Sequence, residues 1–181
     1  MKEEVRKEYL NIRNNIDNKD LLDDKIYHSV INNIHVLNCE LILIYVSFGS
    51  EVDTIKLIEY FLKHKKVAVP KVIDNKMEFY YIESLNELMI GNFKIFEPTT
   101  NKKVIDFKAC VSITPGVCFA KDLYRLGYGR GYYDKFYAEH LTIYKIGLTY
   151  DECIIENIPK DSYDIPLDEI ITPSKNVKKT I

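Results

Sequence analysis

The chain has 181 residues, a net charge of -2 and 29% charged residues, a length that suits one domain over residues 1–181 and buries about 70% of the surface an unfolded chain exposes. That charge excludes the strongly basic balance of a dedicated nucleic-acid binder, and no apolar run nears the roughly 20 residues of a membrane helix. Four scattered cysteines, Cys39, Cys110, Cys118 and Cys153, form no C-x-x-C pair and have no neighbouring histidines, which argues against zinc and against a disulfide framework.

The start, Met1-Lys2-Glu3-Glu4-Val5-Arg6, carries acids and no following apolar run, so it reads as neither a secretory nor a transit leader. A soluble, cytoplasmic monomer with no membrane or nucleic-acid partner is expected. Val5, Tyr9, Ile12 and Ile16 recur at helical spacing, and Leu22, Ile26, Val30, Ile34 and Leu37 repeat the signal after a polar break. Leu41 to Val46, L-I-L-I-Y-V, is a continuous apolar run that predicts a strand covered on both faces. After Ser47 to Ser50, Asp53 or Thr54 can cap a helix whose apolar face is Ile55, Ile58, Phe61 and Leu62, and Val67 to Pro70 gives the next strand.

Met77 to Ile82 and Val104 to Ile105 are weaker strand candidates around a loop with Gly91 and Glu97-Pro98. Ala109 to Ile113 is a further strand closed by Thr114-Pro115-Gly116. Tyr132 to His140 reads as a helix, Ile143 to Leu148 as a strand and Glu169 to Thr172 as a last short strand. This alternation predicts an α/β fold, one three-layer domain with a mostly parallel central sheet flanked by helices.

Ligands in such sheets gather outside the carboxyl ends of the strands, which selects Ser47 to Asp53, Pro115 to Asp134 and the segment after Leu148. The middle loop holds R-L-G-Y-G-R-G-Y-Y-D-K from Arg125 to Lys135, with three of the chain's seven glycines inside five residues. Residues without Cβ can take φ > 0 and curl into a nest of amide donors that suits an anion such as phosphate. Arg125 and Arg130 would add planar charged forks, and Asp134 a hard oxygen of the kind that holds Mg2+ beside a polyphosphate. A tight solvent turn between strand and helix is the plain alternative. So too, Glu51 reads either as a site carboxylate or as a helix-start acid, and Asp164 as a site carboxylate or a turn cap.

Five segments in order resemble the 5-formyltetrahydrofolate cyclo-ligase family. They are Lys2-x-x-x-Arg6; Tyr45 to Thr54; Ile95 to Pro98; Pro115 to Phe119 followed by Arg125 to Asp134; and Tyr163 to Asp168 running on to Thr172. The fourth is by far the most specific. The resemblance implies ATP-dependent ring closure of 5-formyltetrahydrofolate to 5,10-methenyltetrahydrofolate, with ADP and phosphate released and Mg2+ required. By the same resemblance Lys2 and Arg6 would reach the ATP phosphates. Arg125, Leu126, Gly127, Tyr128, Gly129, Arg130, Gly131, Tyr132 and Tyr133 would wrap the nucleotide, and Asp134 and Asp164 would hold the metal. Val46 and Glu51 match substrate-contacting positions, with Tyr128 to Tyr132 (Tyr128, Gly129, Arg130, Gly131, Tyr132) shared by both ligands. Arg125, Arg130 and Tyr133 are the catalytic candidates.

The chain departs from the family pattern at Ala120 and Leu123, where an acid and a turn glycine are common, so the hairpin there must differ. Arg130, Lys135 and Cys153 also replace frequent family residues, the last putting in doubt a ligand contact after the strand ending at Leu148. Two other classes remain: a phosphosugar isomerase or CoA-transferase-like enzyme on a similar scaffold, and a folate- or nucleotide-sensing module without turnover.

Overall fold

A seven-stranded sheet, in the spatial order Asn176–Lys178, Glu169–Ile171, Tyr144–Leu148, Cys110–Thr114, Leu41–Ile44, Lys66–Ile73 and Lys76–Ile82, forms the centre of the computed structural model, which describes residues 1–91 and 94–179. Helices α1 (Lys2–Asn14) and α2 (Lys19–Ile31) open the chain, and a short α3 (Ile34–Asn38) follows. The expected helix through Leu37 breaks at Asn33, which adopts an extended conformation and whose side-chain oxygen accepts from the His35 and Val36 amides at 2.9 and 3.3 Å. Asparagine competes for nearby backbone in this way, ending one helix and capping another.

Strand β1 (Leu41–Ile44) is buried along its whole length. It stops two residues short of the predicted Val46 because Thr54 Oγ1 donates to the Tyr45 carbonyl at 2.6 Å and draws the chain into a loop. Asp53 then caps α4 (Ile55–Leu62), accepting from the Ile55 amide at 3.2 Å. Strands β2 (Lys66–Ile73) and β3 (Lys76–Ile82) form a hairpin. Asp74 and Asn75 turn it with φ of 51° and 60°, the paired left-handed geometry that matches strand twist. Pro70 lies past the last β1–β2 pair, Leu43 with Ala68, so its missing N–H breaks no bond to β1.

β4 (Leu88–Ile90) and β5 (Phe96–Pro98) make a separate ribbon; the loop between them includes residues outside the described set. The expected strand at Val104 and Ile105 does not form. Val104 instead donates one backbone bond to Phe79 at 2.8 Å, and Lys103 makes an isolated bridge to Tyr80. β6 (Cys110–Thr114), β9 (Tyr144–Leu148) and β11 (Glu169–Ile171) extend the parallel sheet, and β12 (Asn176–Lys178) pairs antiparallel at its edge. α5 (Tyr132–Glu139) precedes β9. A small three-stranded sheet of β7 (Cys118–Ala120), β8 (Arg125–Leu126) and β10 (Ile154–Ile155) was not anticipated, each strand being too short to show a period.

Alternation along β1 sends Ile42 and Ile44 to one face, where Ile26, Val30, Ile58 and Phe61 cover them, and Leu41 and Leu43 to the other, under Phe136 and Tyr137. Three layers result, as predicted. Val5 and Tyr9 of α1 pack on Cys118 and Leu126 of the small sheet, which fixes α1 beside the glycine loop.

Candidate active site

β1 and β6 are neighbours in parallel register, yet the chain continues from β1 to β2 on one side and from β6 to β9 on the other. Loops diverge from their carboxyl ends and leave a crevice. A cavity of about 1190 Å³ opens there, lined by Lys2 and Arg6 of α1, Val46 and Glu51 after β1, the whole run Arg125 to Asp134, and Asp164. All the sequence-predicted site residues therefore meet in one space.

Gly129 and Gly131 have φ of 99° and 69°, conformations that side-chain-bearing residues resist. Gly127 is different: its φ is not positive, and a Cβ there would lie 2.7 Å from Arg125 Nη1. The expected three-glycine nest is thus a two-glycine turn plus one site of close approach. Arg6 Nε donates to the Gly127 carbonyl at 2.8 Å and ties α1 to this loop. Arg125 lies over the Tyr133 ring at 5.1 Å and donates through Nη1 to the Pro115 carbonyl at 3.2 Å. Its Nε is buried without an acceptor among the described residues. Such a donor is costly unless met, and an anion's oxygen would meet it.

Next to the glycine run, Glu51 accepts from the Phe48 amide at 2.9 Å and from the hydroxyl of Tyr128 in that run at 3.0 Å. Burial pushes its carboxyl above the ordinary range, against these hydrogen bonds and the nearby charge of Arg13. Val46 is buried beside it and Phe48 is 43% exposed, so an apolar patch adjoins a carboxylate, suited to a flat ring with polar edges.

Two further carboxylates, Asp134 and Asp164, line the same cavity. Asp134 Oδ1 accepts from the Ile165 amide at 3.0 Å; Asp164 Oδ2 accepts from Lys2 Nζ at 3.0 Å and from the Asp161 amide at 2.8 Å. Each leaves its second oxygen without a hydrogen bond among the described residues. No group of three or more metal-ligating side chains occurs among them, and two carboxylates suit Mg2+, which is commonly shared between one or two protein oxygens and phosphate.

The model of the 5-formyltetrahydrofolate cyclo-ligase family matches residues 1–173. The chain belongs to that family. It is 33% identical over 159 residues to a probable 5-formyltetrahydrofolate cyclo-ligase of Schizosaccharomyces pombe, covering 77% of this chain and 78% of that one. Identity to the 5-formyltetrahydrofolate cyclo-ligase of Escherichia coli is 31% over 148 residues, covering 77% and 81%. Among solved structures, the 5,10-methenyltetrahydrofolate synthetase of Aquifex aeolicus superposes with a TM-score of 0.86 at 29% identity over 98% of this chain and 92% of that one. The Mycoplasma pneumoniae synthetase gives 0.73 at 30%, covering 95% and 98%.

Three departures from the cyclo-ligase pattern now have locations. Leu123 takes φ of 77°, a turn position glycine would hold without strain, and its side chain is buried in the core in return. Ala120 closes this hairpin, donating to the Tyr124 carbonyl at 2.8 Å. Cys153 is buried with Cys118 and Leu126, away from the cavity lining. All four cysteines are free and buried. Sequence reasoning missed Asp161, which pairs with Lys2 at 2.6 Å, and Arg13, a buried arginine at the end of α1. Arg13 follows Arg6 by seven residues, a spacing that returns to one helix face and was readable in principle.

Proposed function

We propose that the protein catalyses ATP- and Mg2+-dependent cyclisation of 5-formyltetrahydrofolate to 5,10-methenyltetrahydrofolate, releasing ADP and phosphate. The formyl oxygen, a poor leaving group, attacks the γ-phosphorus of ATP and displaces ADP. N10 then adds to the activated formyl carbon, loses its proton, and the C–O bond breaks to release phosphate. Phosphoryl transfer asks mainly for alignment and charge neutralisation, so no protein nucleophile is needed.

In this reading Lys2, Arg6, Arg125 and Arg130 neutralise the phosphates, and the amides around Gly129 and Gly131 supply uncharged donors. Tyr133 holds Arg125 in place through its ring. Asp134 and Asp164 would hold Mg2+, which supplies further charge neutralisation at the polyphosphate. Glu51 accepts hydrogen bonds from the pterin N–H groups, with Val46 and Phe48 beside the ring.

The observation that carries the reading is the convergence of α1 cations, glycine loop and Glu51 on one cavity of about 1190 Å³. Mixing the protein with 5-formyltetrahydrofolate, ATP and Mg2+ should raise the absorbance of the methenyl product, with no rise when ATP is omitted. No rise at any enzyme concentration ends the proposal. The same reading takes the protein as a cytoplasmic monomer; light scattering at the mass of one chain checks the second part.

A further inference from the structure

Arg13 is 4% exposed, and its guanidinium joins three segments that are distant in sequence. Nε donates to Ser50 Oγ at 2.8 Å, Nη1 to the Gly116 carbonyl at 3.0 Å and Nη2 to the Tyr128 hydroxyl at 2.8 Å. An arginine has no acceptor, so Tyr128 must receive that bond and direct its own proton elsewhere. It directs it to Glu51 Oε2 at 3.0 Å. The hydrogen bonds therefore run one way, from Arg13 through Tyr128 to Glu51. Ser50 adds a second hold on the same loop, one residue from Glu51.

Among the described residues Arg13 makes no ion pair, so its buried charge is matched only by acceptors and, through one tyrosine, by Glu51. A guanidinium is planar and keeps its charge, which makes it a rigid template for the three loops it touches. A helix staple would need only the Gly116 contact. The bonds to Ser50 and Tyr128 bear on the folate wall.

We infer that Arg13 is a positioning residue: through Tyr128 and Ser50 it sets the direction in which the Glu51 carboxylate faces the pterin side of the cavity. The inference rests on the reading of Glu51 as the group that takes the folate. Arg13 bonds to none of the cations proposed for the phosphates and to neither metal carboxylate, and it reaches the shared loop only through the Tyr128 hydroxyl, which is turned to Glu51, so its effect falls on folate far more than on ATP.

Calorimetric titration of 5-formyltetrahydrofolate and, separately, of ATP with Mg2+ tests this on wild type, Arg13→Gln, Arg13→Lys, Tyr128→Phe and the double variant Arg13→Gln/Tyr128→Phe. Losing one charge-assisted bond should weaken folate binding about tenfold in Arg13→Gln, with ATP affinity held and Arg13→Lys intermediate. The double variant should bind folate no more weakly than its weaker single parent, because both changes cut one chain of bonds. Independent, additive losses would overturn the inference, as would equal losses for folate and ATP, or a wild type that binds no folate. If Arg13→Gln fails to fold, Arg13→Lys decides: its folate deficit should shrink in the Tyr128→Phe background to what the Ser50 bond alone carries, and a deficit as large as in the Tyr128 background refutes the relay. Absence of turnover in the wild type would end only the cyclo-ligase proposal, since binding still decides this one.

Discussion

Lys2, the first residue of α1, holds its ammonium 3.0 Å from the Asp164 carboxylate, 162 residues away in the chain. Burial works against the charged lysine, but hydrogen bonds to Asp161 and Asp164 outweigh it and raise its pKa. The cation therefore persists at neutral pH and stands where the proposed phosphate and metal ends of the cavity meet. Lys2→Met should raise the KM for ATP about tenfold or more. Lys2 keeps 24% of its side chain exposed and its other partner Asp161 45%, so the pairing adds little to stability and the thermal midpoint should drop by no more than about 3 °C. An unchanged KM for ATP would remove Lys2 from the nucleotide site.

Asp134 has two separable tasks. Its Oδ1 accepts from the Ile165 amide at 3.0 Å, a bond an amide oxygen can keep, whereas holding a divalent cation needs the charge. Asp134→Asn should cut kcat about a hundredfold while folate affinity is retained. Equal losses in turnover and folate binding would count against a metal role.

Gly129 has φ of 99°, and a Cβ there would sit 3.4 Å from the Arg6 guanidinium carbon. Gly129→Val should strain the loop, at about 1–2 kcal/mol, and its branched methyls, reaching beyond a Cβ already in contact with the guanidinium, should crowd Arg6. ATP binding should weaken at least about tenfold while the far-ultraviolet circular dichroism of the fold is kept. Wild-type nucleotide affinity would reject the loop as a phosphate cradle.

As the proposed acceptor for the pterin, Glu51 should give the folate step a pH dependence. It is faced by the Phe48 amide, Tyr128, Tyr45, Tyr133 and Arg13, and burial, the largest influence, moves its pKa upward. A raised folded-state pKa means the anion is disfavoured in the fold: above that pKa it opposes stability, and the penalty fades as pH falls and the proton binds. Acceptance of pterin N–H bonds needs the anion. kcat/KM for folate should therefore decline on the acid side at a higher pH than an exposed carboxylate would produce. Glu51→Gln should be weaker and lack that limb; a limb surviving the substitution belongs to another group.

Glu169 is fully buried and accepts from Asn33 Nδ2 at 3.1 and 3.0 Å, Tyr144 at 3.1 Å and Asn176 at 2.7 Å. Glutamine would place an NH2 against donors on one side. Glu169→Gln should cost about 1–3 kcal/mol in denaturant unfolding and leave the KM for ATP unaltered, because this knot lies outside the cavity lining. No loss of stability would mean that the donors rearrange freely.

Leu41 to Ile44, the α4 face of Ile58 and Phe61, and the glycine run between Arg125 and Asp134 could be read directly because each rests on local rules: continuous burial, a 3.6-residue period, and a cluster of residues without Cβ. Those rules yielded the α/β class and the glycine-run candidates, whereas Lys2, Arg6 and Val46 came from the likeness to the cyclo-ligase family. They failed at Asn33, where a side-chain cap defeated an unbroken apolar period, and at Val104, where one hydrogen bond to Phe79 imitates a strand without forming one. β7, β8 and β10 escaped because pairs of two or three residues carry no period.

By itself the chain determined which residue types are available to the site: cations one helical turn apart at Lys2 and Arg6, a run of glycines at Gly127, Gly129 and Gly131 able to take left-handed turns, carboxylates at Asp134 and Asp164. Only the tertiary structure decided that Tyr128 bonds to Glu51, that Lys2 reaches Asp164, and that Arg13 is buried as the junction of three loops. Contacts between residues far apart in sequence depend on how helices settle on the sheet, and α1 settles through Val5 and Tyr9 on a small sheet too short to announce itself. Spacing along a chain specifies faces; packing alone specifies which faces meet.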